Sequence, residues 1–385
     1  MRFNDHSALD GRHAFLSPSS YHWLRYSEDK LFERYDTMTA QQRGTVYHAY
    51  AAESIRLGVK LRGATTLAQY VNDAIGFRMT PEQPLYYSEY CCGTADAISF
   101  RKDELRLVPK AGEIPVVKSD LLSLDRSQDL IVWFGHSSWL LQLGGLRILV
   151  DPVFNVASPV SFLLGEPFPG TDIYKVEDIP DIDVLLITHD HWDHLDCATV
   201  TKLRERIGRV VCPLGVGEHF ERWDFASETL VELDWDESAT LSFAEGCEIE
   251  LHCLPTHHFS GRGFVRNQSL WASFLVAVAS RRVYFGGDGG YDERFRQIGE
   301  GFPGIDLAIL ENGQYNVRWQ RNHIMPDELA LAMRDLGAKR YMTGHHGKFC
   351  ISTHPWDEPF ANEKAAALAA GVNLITPRIG EITAL

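Results

Sequence analysis

Four groups able to hold a metal ion stand within six residues: His189, His191, Asp193 and His194, in the run His189-Asp190-His191-Trp192-Asp193-His194. Imidazole and carboxylate at this density suit a borderline-soft divalent cation, which binds such ligands at about 2.0–2.2 Å. The apolar run DVLLIT at 183–188 reads as a strand ending at His189, so the following loop can turn two imidazoles inward. Asp193 and His194 are expected from the first turn of the next helix, whose positive end suits a carboxylate. Further candidates follow later apolar runs: His257 and His258 after EIELHCLPT, Asp288 after RVYFGG, and His345 and His346 after YMTG. Neighbours in an extended segment point oppositely, so one of His257 and His258, and one of His345 and His346, should face the metal. Strand ends gathered in this way would build one cleft.

The elements that must position these groups are legible from about residue 127 onward. LIVWF at 130–134, WLLQL at 139–143 and RILV at 147–150 read as strands, with Gly144-Gly145 supplying a tight turn. DVLLIT, RVVC at 209–212, EIELHCL at 248–254, WASFLVAV at 271–278, RVYF at 282–285 and DLAIL at 306–310 continue the series. A helix is expected over 326–337, entered through Pro326 and Asp327. This alternation predicts an α/β fold of layered sheets covered by helices. Residues 1–108 differ, with a helix-like stretch around 39–57 and a Pro-rich turn region at 81–84; 109–126 reads as a linker and 127–385 as the catalytic domain.

Composition bounds the function. With 45% hydrophobic and 23% charged residues among 385, the chain is ordinary globular protein. Its 52 acidic and 37 basic residues leave a formal charge of −15, which disfavours nucleic acid as a partner. The N-terminus lacks the apolar run of a secretory signal, and no stretch of about 18 apolar residues suggests a transmembrane segment, so a cytoplasmic protein is expected. Cys91, Cys92, Cys197, Cys212, Cys247, Cys253 and Cys350 form no CxxC pair and read as free thiols. A serine hydrolase is excluded by the lack of a GxSxG elbow.

HDHWDH, GDGG and the later histidines in order resemble the metallo-β-lactamase superfamily of binuclear hydrolases, over roughly residues 115–385. VWFGHSSWLLQLGGLRILVDPVF, PTHHFSGRG, GGDGGYD, HIMPDE and HHGKF look like the branch containing N-acyl-phosphatidylethanolamine-hydrolysing phospholipase D and RomA-type proteins, and more distantly ascorbate-phosphate lactonases. The resemblance implies an αββα sandwich and two Zn2+ ions, with Mn2+ or Fe2+ as alternatives. It implies His189, His191 and His258 for one metal, Asp193, His194 and His345 for the other, and a bridging Asp288. His258 matches a pattern of histidine, aromatic, small residue; His345 matches histidine, variable residue, Gly-x-Phe, although His346 fills a place where the family has tryptophan. A di-iron relative that reduces oxygen has glutamate at the position of His191, which disfavours that chemistry here.

Two cations sharing a water would lower its pKa from about 15.7 towards about 7 and polarise the attacked oxygen. Asp193 would orient the nucleophile, and His323, similar to an extra cleft histidine of the family, would hold a substrate oxygen or protonate the leaving group. His136 and Asp151 are expected to orient the ligating side chains. A small-molecule or lipid-like substrate follows, with a phosphodiester or phospholipid-like bond expected and a lactone or phosphate ester as the rival. FLSPSSYHWLRY, Gly44–His48, Glu53 and Gly93–Ala97 are similar to the opening motifs of RecB-type PD-(D/E)XK nucleases. Val108 and Pro109 stand where that family's acid and its neighbour belong, beside Lys110, so a degenerate α+β appendage is expected rather than a nuclease. Nucleic-acid binding led by residues 11–106 is the alternative from another class.

Overall fold

A computed structural model describes residues 107–158, 165–262, 265–316 and 319–385, together with the backbone of Asn72, Thr80–Ser88 and Cys91–Ile98. The chain divides into two compact units, Met1–Glu104 and Leu105–Leu385. In the first, β1 (Thr80–Ser88) pairs antiparallel with β2 (Cys91–Ile98), Pro81 opposite Ala97 and Pro84 opposite Thr94. The region 81–84, expected as a turn, is therefore strand. Among the described residues each strand of this ribbon has an unpaired outer edge, where proline's missing N–H is tolerated. The helix expected over 39–57 and the motifs at Gly44–His48 and Glu53 lie outside the described residues.

The second unit is built on two seven-stranded mixed sheets. One contains β3 (Leu130–Trp133), β4 (Trp139–Leu143), β5 (Leu146–Val150), β6 (Ile182–Leu186), β7 (Ile207–Pro213), β8 (Leu230–Leu233) and β16 (Ile382–Ala384), in the order β16-β3-β4-β5-β6-β7-β8. The other contains β9 (Ser238–Ser242), β10 (Glu248–Leu254), β11 (Ser273–Val278), β12 (Arg281–Phe285), β13 (Leu307–Glu311), β14 (Arg340–Gly344) and β15 (Asn373–Leu374), in the order β15-β14-β13-β12-β11-β10-β9.

The strands run apolar without alternation because both faces are buried. Ile131, Leu141, Ile148, Val184 and Leu186 of the first sheet meet Leu251, Phe274, Val276, Val283 and Ile309 of the second in a shared core. Their neighbours Leu140, Leu149 and Leu185 turn to the other side, under the helix Cys197–Leu203. Leu275, Tyr284 and Leu310 do the same under the helices Arg294–Gly301, Leu329–Leu336 and Glu358–Ala370. Helix, sheet, sheet, helix is thus the layer order, the αββα sandwich implied above. Residues 109–126, expected as a linker, belong to this unit: Ile114 and Leu121 are buried, and the Val117 N–H donates to the Ile379 carbonyl at 2.8 Å.

Cys212 and Cys253 are buried thiols that make no disulfide, and burial pushes Cys253 up to about 12 and Cys212 well above its ordinary value. They are inert core groups rather than thiolates. Among the described residues no helix is long and apolar enough to cross a membrane.

Candidate metal centre

Strand ends supply the site. His136 follows β3, Asp151 follows β5, His189 lies just beyond β6, His258 follows β10, Asp288 follows β12, Glu311 ends β13 and His345 follows β14. His191 lies in the loop as expected, and Asp193 and His194 come from the turn before the helix Cys197–Leu203 rather than from its first turn. Asp196 caps that helix by accepting from the Ala198 N–H at 3.0 Å, which delays its start past the ligand run. His136, Asp151 and His345 adopt left-handed backbone, with φ of 54°, 42° and 65°. Such conformations cost about 1–3 kcal/mol each and persist where the surroundings enforce them, as at functional sites.

Among the described residues three sets of donor atoms lie within 4.8 Å of one another: His189, His191, His258 and Asp288; His136, Asp193, His194 and His345; and Asp288, Glu311, His323 and His345, which overlaps the first set at Asp288 and the second at His345. In the first, His191 Nδ1 is 2.9 Å from His189 Nε2 and 3.2 Å from His258 Nε2. In the second, Asp193 Oδ2 is 3.3 Å from His345 Nε2 and 3.5 Å from His194 Nε2. Asp288 Oδ2 lies between the first two sets, 3.9 Å from His189 Nε2, 3.7 Å from His258 Nε2, 3.2 Å from His194 Nε2 and 3.1 Å from His345 Nε2.

Outer hydrogen bonds show which way the imidazoles face. Thr188 Oγ1 donates to Asp151 Oδ2 at 2.6 Å, so its oxygen is left to accept from His189 Nδ1 at 3.0 Å. Asp151 also receives His194 Nδ1 at 2.8 Å, and His258 Nδ1 donates to the Asn322 carbonyl at 3.0 Å. Each of these bonds places the proton on Nδ1 and directs the Nε2 lone pair at the same enclosed space. His194 Nε2 and Asp288 Oδ1 are buried without a hydrogen-bond partner. Converging lone pairs and orphaned buried acceptors are what a cation would satisfy, and the N,O donor set fits a divalent first-row metal.

The charge pattern agrees. Burial, then the neighbouring imidazoles, push His189 well below the ordinary histidine value, and burial drives His258 down as well. Burial also opposes charge on His345, but Asp288, Asp193 and Glu311 outweigh it and raise it to about 10. The histidines hold Asp193 and Asp288 well below the usual carboxylate range in spite of their burial. Positive charge is thus demanded beside these two carboxylates.

Of the paired histidines, His258 and His345 turn to the centre. His257 Nδ1 donates instead to the Arg321 carbonyl at 2.7 Å, and His346 bonds Thr343 Oγ1 at 3.1 Å. His136 Nε2 bonds Asp193 Oδ2 at 2.8 Å, and His323 stacks on His345 with ring centroids 5.0 Å apart. Glu311, which the sequence reading passed over, is buried and receives His323 Nδ1 at 2.8 Å and the Ile324 N–H at 2.6 Å, with His345 Nδ1 3.2 Å away. The available signal was a carboxylate closing the apolar run DLAILE at a strand's carboxyl end.

A family model described as a β-lactamase superfamily domain matches residues 146–346. An uncharacterised protein of Mycobacterium tuberculosis is 35% identical over 80% of this chain and 87% of its own length. An N-acyl-phosphatidylethanolamine-hydrolysing phospholipase D of Caenorhabditis elegans is 34% identical over 57% of this chain and 64% of its own. Among solved structures, a metallo hydrolase from the archaeon Ignicoccus hospitalis superposes with a TM-score of 0.52 at 18% identity, covering 67% of this chain and 98% of the other, a likeness of fold.

Proposed function

From the premise that this chain belongs to the β-lactamase superfamily and is a metal-dependent hydrolase, we propose that it holds two Zn2+ ions and cleaves a phosphodiester or phospholipid-like bond. The observation that carries the two-ion reading is the pair of donor sets meeting at Asp288. His189, His191 and His258 would hold one ion and Asp193, His194 and His345 the other, with Asp288 between them. Bound there, the cations would acidify water to a nucleophile near neutral pH and polarise the attacked oxygen.

The chain's own groups supply the rest. His136 holds the Asp193 carboxylate at 2.8 Å and fixes its direction. Asp151 and Thr188 lock the ring orientations of His189 and His194. His323, anchored to Glu311 through Nδ1, keeps Nε2 for a substrate oxygen or for protonating a leaving group. The phosphodiester preference is supported by the resemblance to the C. elegans phospholipase.

Metal analysis of purified protein should return close to two equivalents, and zinc-loaded protein should turn over aryl phosphodiesters faster than lactones. His191→Ala should lose that turnover. A correctly folded protein that takes up no metal would overturn the metal assignment, and faster turnover of lactones would overturn the substrate class.

A further inference from the structure

Strand β14 leads to chemistry on two sides. His345 turns to the metal-ligand cluster, whereas His346 lies at a separate cavity of about 300 Å3 lined also by Trp133, Thr343, Trp356, Phe360 and Glu363. Thr343 and His346 are buried, and Glu363, on the helix Glu358–Ala370, is only 3% exposed. With Glu363 ionised, the Thr343 hydroxyl donates to Glu363 Oε2 at 2.5 Å and its oxygen accepts from His346 Nε2 at 3.1 Å. That leaves His346 Nδ1 as a bare lone pair, and this atom is buried with no hydrogen-bond partner.

Two acceptors, a carboxylate and an imidazole nitrogen, therefore border one cavity. Among the described residues no cation is paired with Glu363, and burial lifts its carboxyl to about 7. The walls are aromatic: the His346 ring lies 5.0 Å from Trp133 and 4.8 Å from Phe360, which packs 6.3 Å from Trp356. The remaining charged lining groups are Glu113, Asp357, Lys364 and Arg378. Glu113, Asp357, Lys364 and Arg378 are all exposed, and the Arg378 guanidinium is paired with Glu381 at 3.1 Å, so Glu363 is the charged lining group that is buried.

A buried carboxylate repels an anion, and a purely apolar guest would leave both acceptors unpaired. Aromatic faces and carboxylates together favour a cation. We propose that this cavity binds a primary alkylammonium, its N–H groups donated to the Glu363 carboxylate and His346 Nδ1 and its alkyl part set against Trp133, Trp356 and Phe360. The site is independent of the metal reading, because it lies on the other side of β14.

The test is calorimetric titration of the full chain with n-butylammonium, before and after metal removal by chelation. Saturable binding that survives chelation is expected, with 1-butanol giving no binding and tetramethylammonium, which has no N–H to donate, binding more weakly. Glu363→Gln keeps an acceptor for Thr343 but removes the charge, and should weaken binding about tenfold or more at an unchanged melting temperature. Trp356→Leu, which leaves the carboxylate in place, should weaken it severalfold and serves if the first variant misfolds. No saturable binding of n-butylammonium, equal binding of 1-butanol, or full affinity in both variants would overturn the proposal.

Discussion

Arg262 is the side chain whose removal tests most directly how the ligand run is held. Its Nη1 donates to two backbone carbonyls that bracket that run, Asp190 at 3.0 Å and Leu195 at 2.5 Å. The guanidinium lies 3.9 Å from the ring centroid of Trp192, in the middle of the run, and 5.5 Å from that of Trp223. The Gly261 N–H beside it donates to Asp190 Oδ1 at 2.8 Å, so the loop carrying His258 is tied to the loop carrying His191, Asp193 and His194. Arg262→Ala removes two charge-assisted hydrogen bonds of about 1.5–3 kcal/mol each and a stacking contact of about 0.5–2 kcal/mol. Much of that is relieved by relaxation of the loop. The part expressed in the ligand geometry should match the usual effect of losing a group that orients metal ligands, a 10–100-fold weaker affinity, or about 1.4–2.8 kcal/mol. Arg262→Lys should recover little, since a single ammonium lacks the planar fork. The assay is competition between protein and a chelator for zinc, with thermal unfolding of the metal-stripped variants reporting on the fold separately. A well-folded Arg262→Ala that holds zinc within twofold of the parent would refute the clamp.

Glu311→Gln keeps the shape of the side chain but has one oxygen where the carboxylate accepts from the Ile324 N–H and His323 Nδ1 on two, and it loses the charge beside His345, so zinc affinity should fall about 10–100-fold in the same competition assay; an unchanged affinity argues against His345 as a ligand. Lys348 is buried with Nζ donating to the Val153 carbonyl at 2.8 Å, and burial pushes it from 10.5 down to about 8. Between those values the unfolded chain binds the extra proton, so folding stability should rise with pH by about 3 kcal/mol relative to Lys348→Met. Urea unfolding of both proteins at pH 7 and pH 10 checks this, and a gap that does not change with pH contradicts it. Phe274, fully buried between the sheets, should cost about 3–5 kcal/mol on replacement by Ala, read in the same denaturation experiment; a loss under about 1 kcal/mol would mean that the inter-sheet core is not packed as described.

The central strands were legible in the sequence because burial on both faces writes them as continuous apolar runs. Four described strands of the second unit went unread, LVEL of β8, SATLS of β9, the two residues of β15 and the three of β16, and all are the outer strands of their sheets. Among the described residues one edge is open there and the burial pattern is mixed, so polar residues break the run. Pro81 and Pro84 misled for a related reason, since a two-stranded ribbon forgives a residue that a central strand would reject. The candidate ligand types were legible because a metal site concentrates them, but which histidine of the 345–346 pair turns inward is set by the turn after β14, where His345 is left-handed rather than extended. Glu311 was not legible, because a lone carboxylate acquires meaning only once the fold sets His323 and His345 beside it.

Backbone contacts between turns hold the strand ends in register. The His345 N–H donates to the His136 carbonyl at 3.0 Å, and the His136 N–H donates to the His346 carbonyl at 2.8 Å. These two bonds join the turn after β3 to the end of β14, where His136 and His345 both have left-handed backbone. A Cβ at Gly313 would stand 2.0 Å from the His345 carbonyl oxygen, which requires glycine there. His136 in turn holds Asp193. The His346 backbone is thus linked through His136 to Asp193 by one chain of hydrogen bonds, which would carry a displacement at the cavity to the candidate metal centre. Saturating n-butylammonium should change the rate at which a chelator strips zinc from the protein. An unchanged rate at full occupancy would show that the joined turns are rigid enough to keep the two faces of β14 independent.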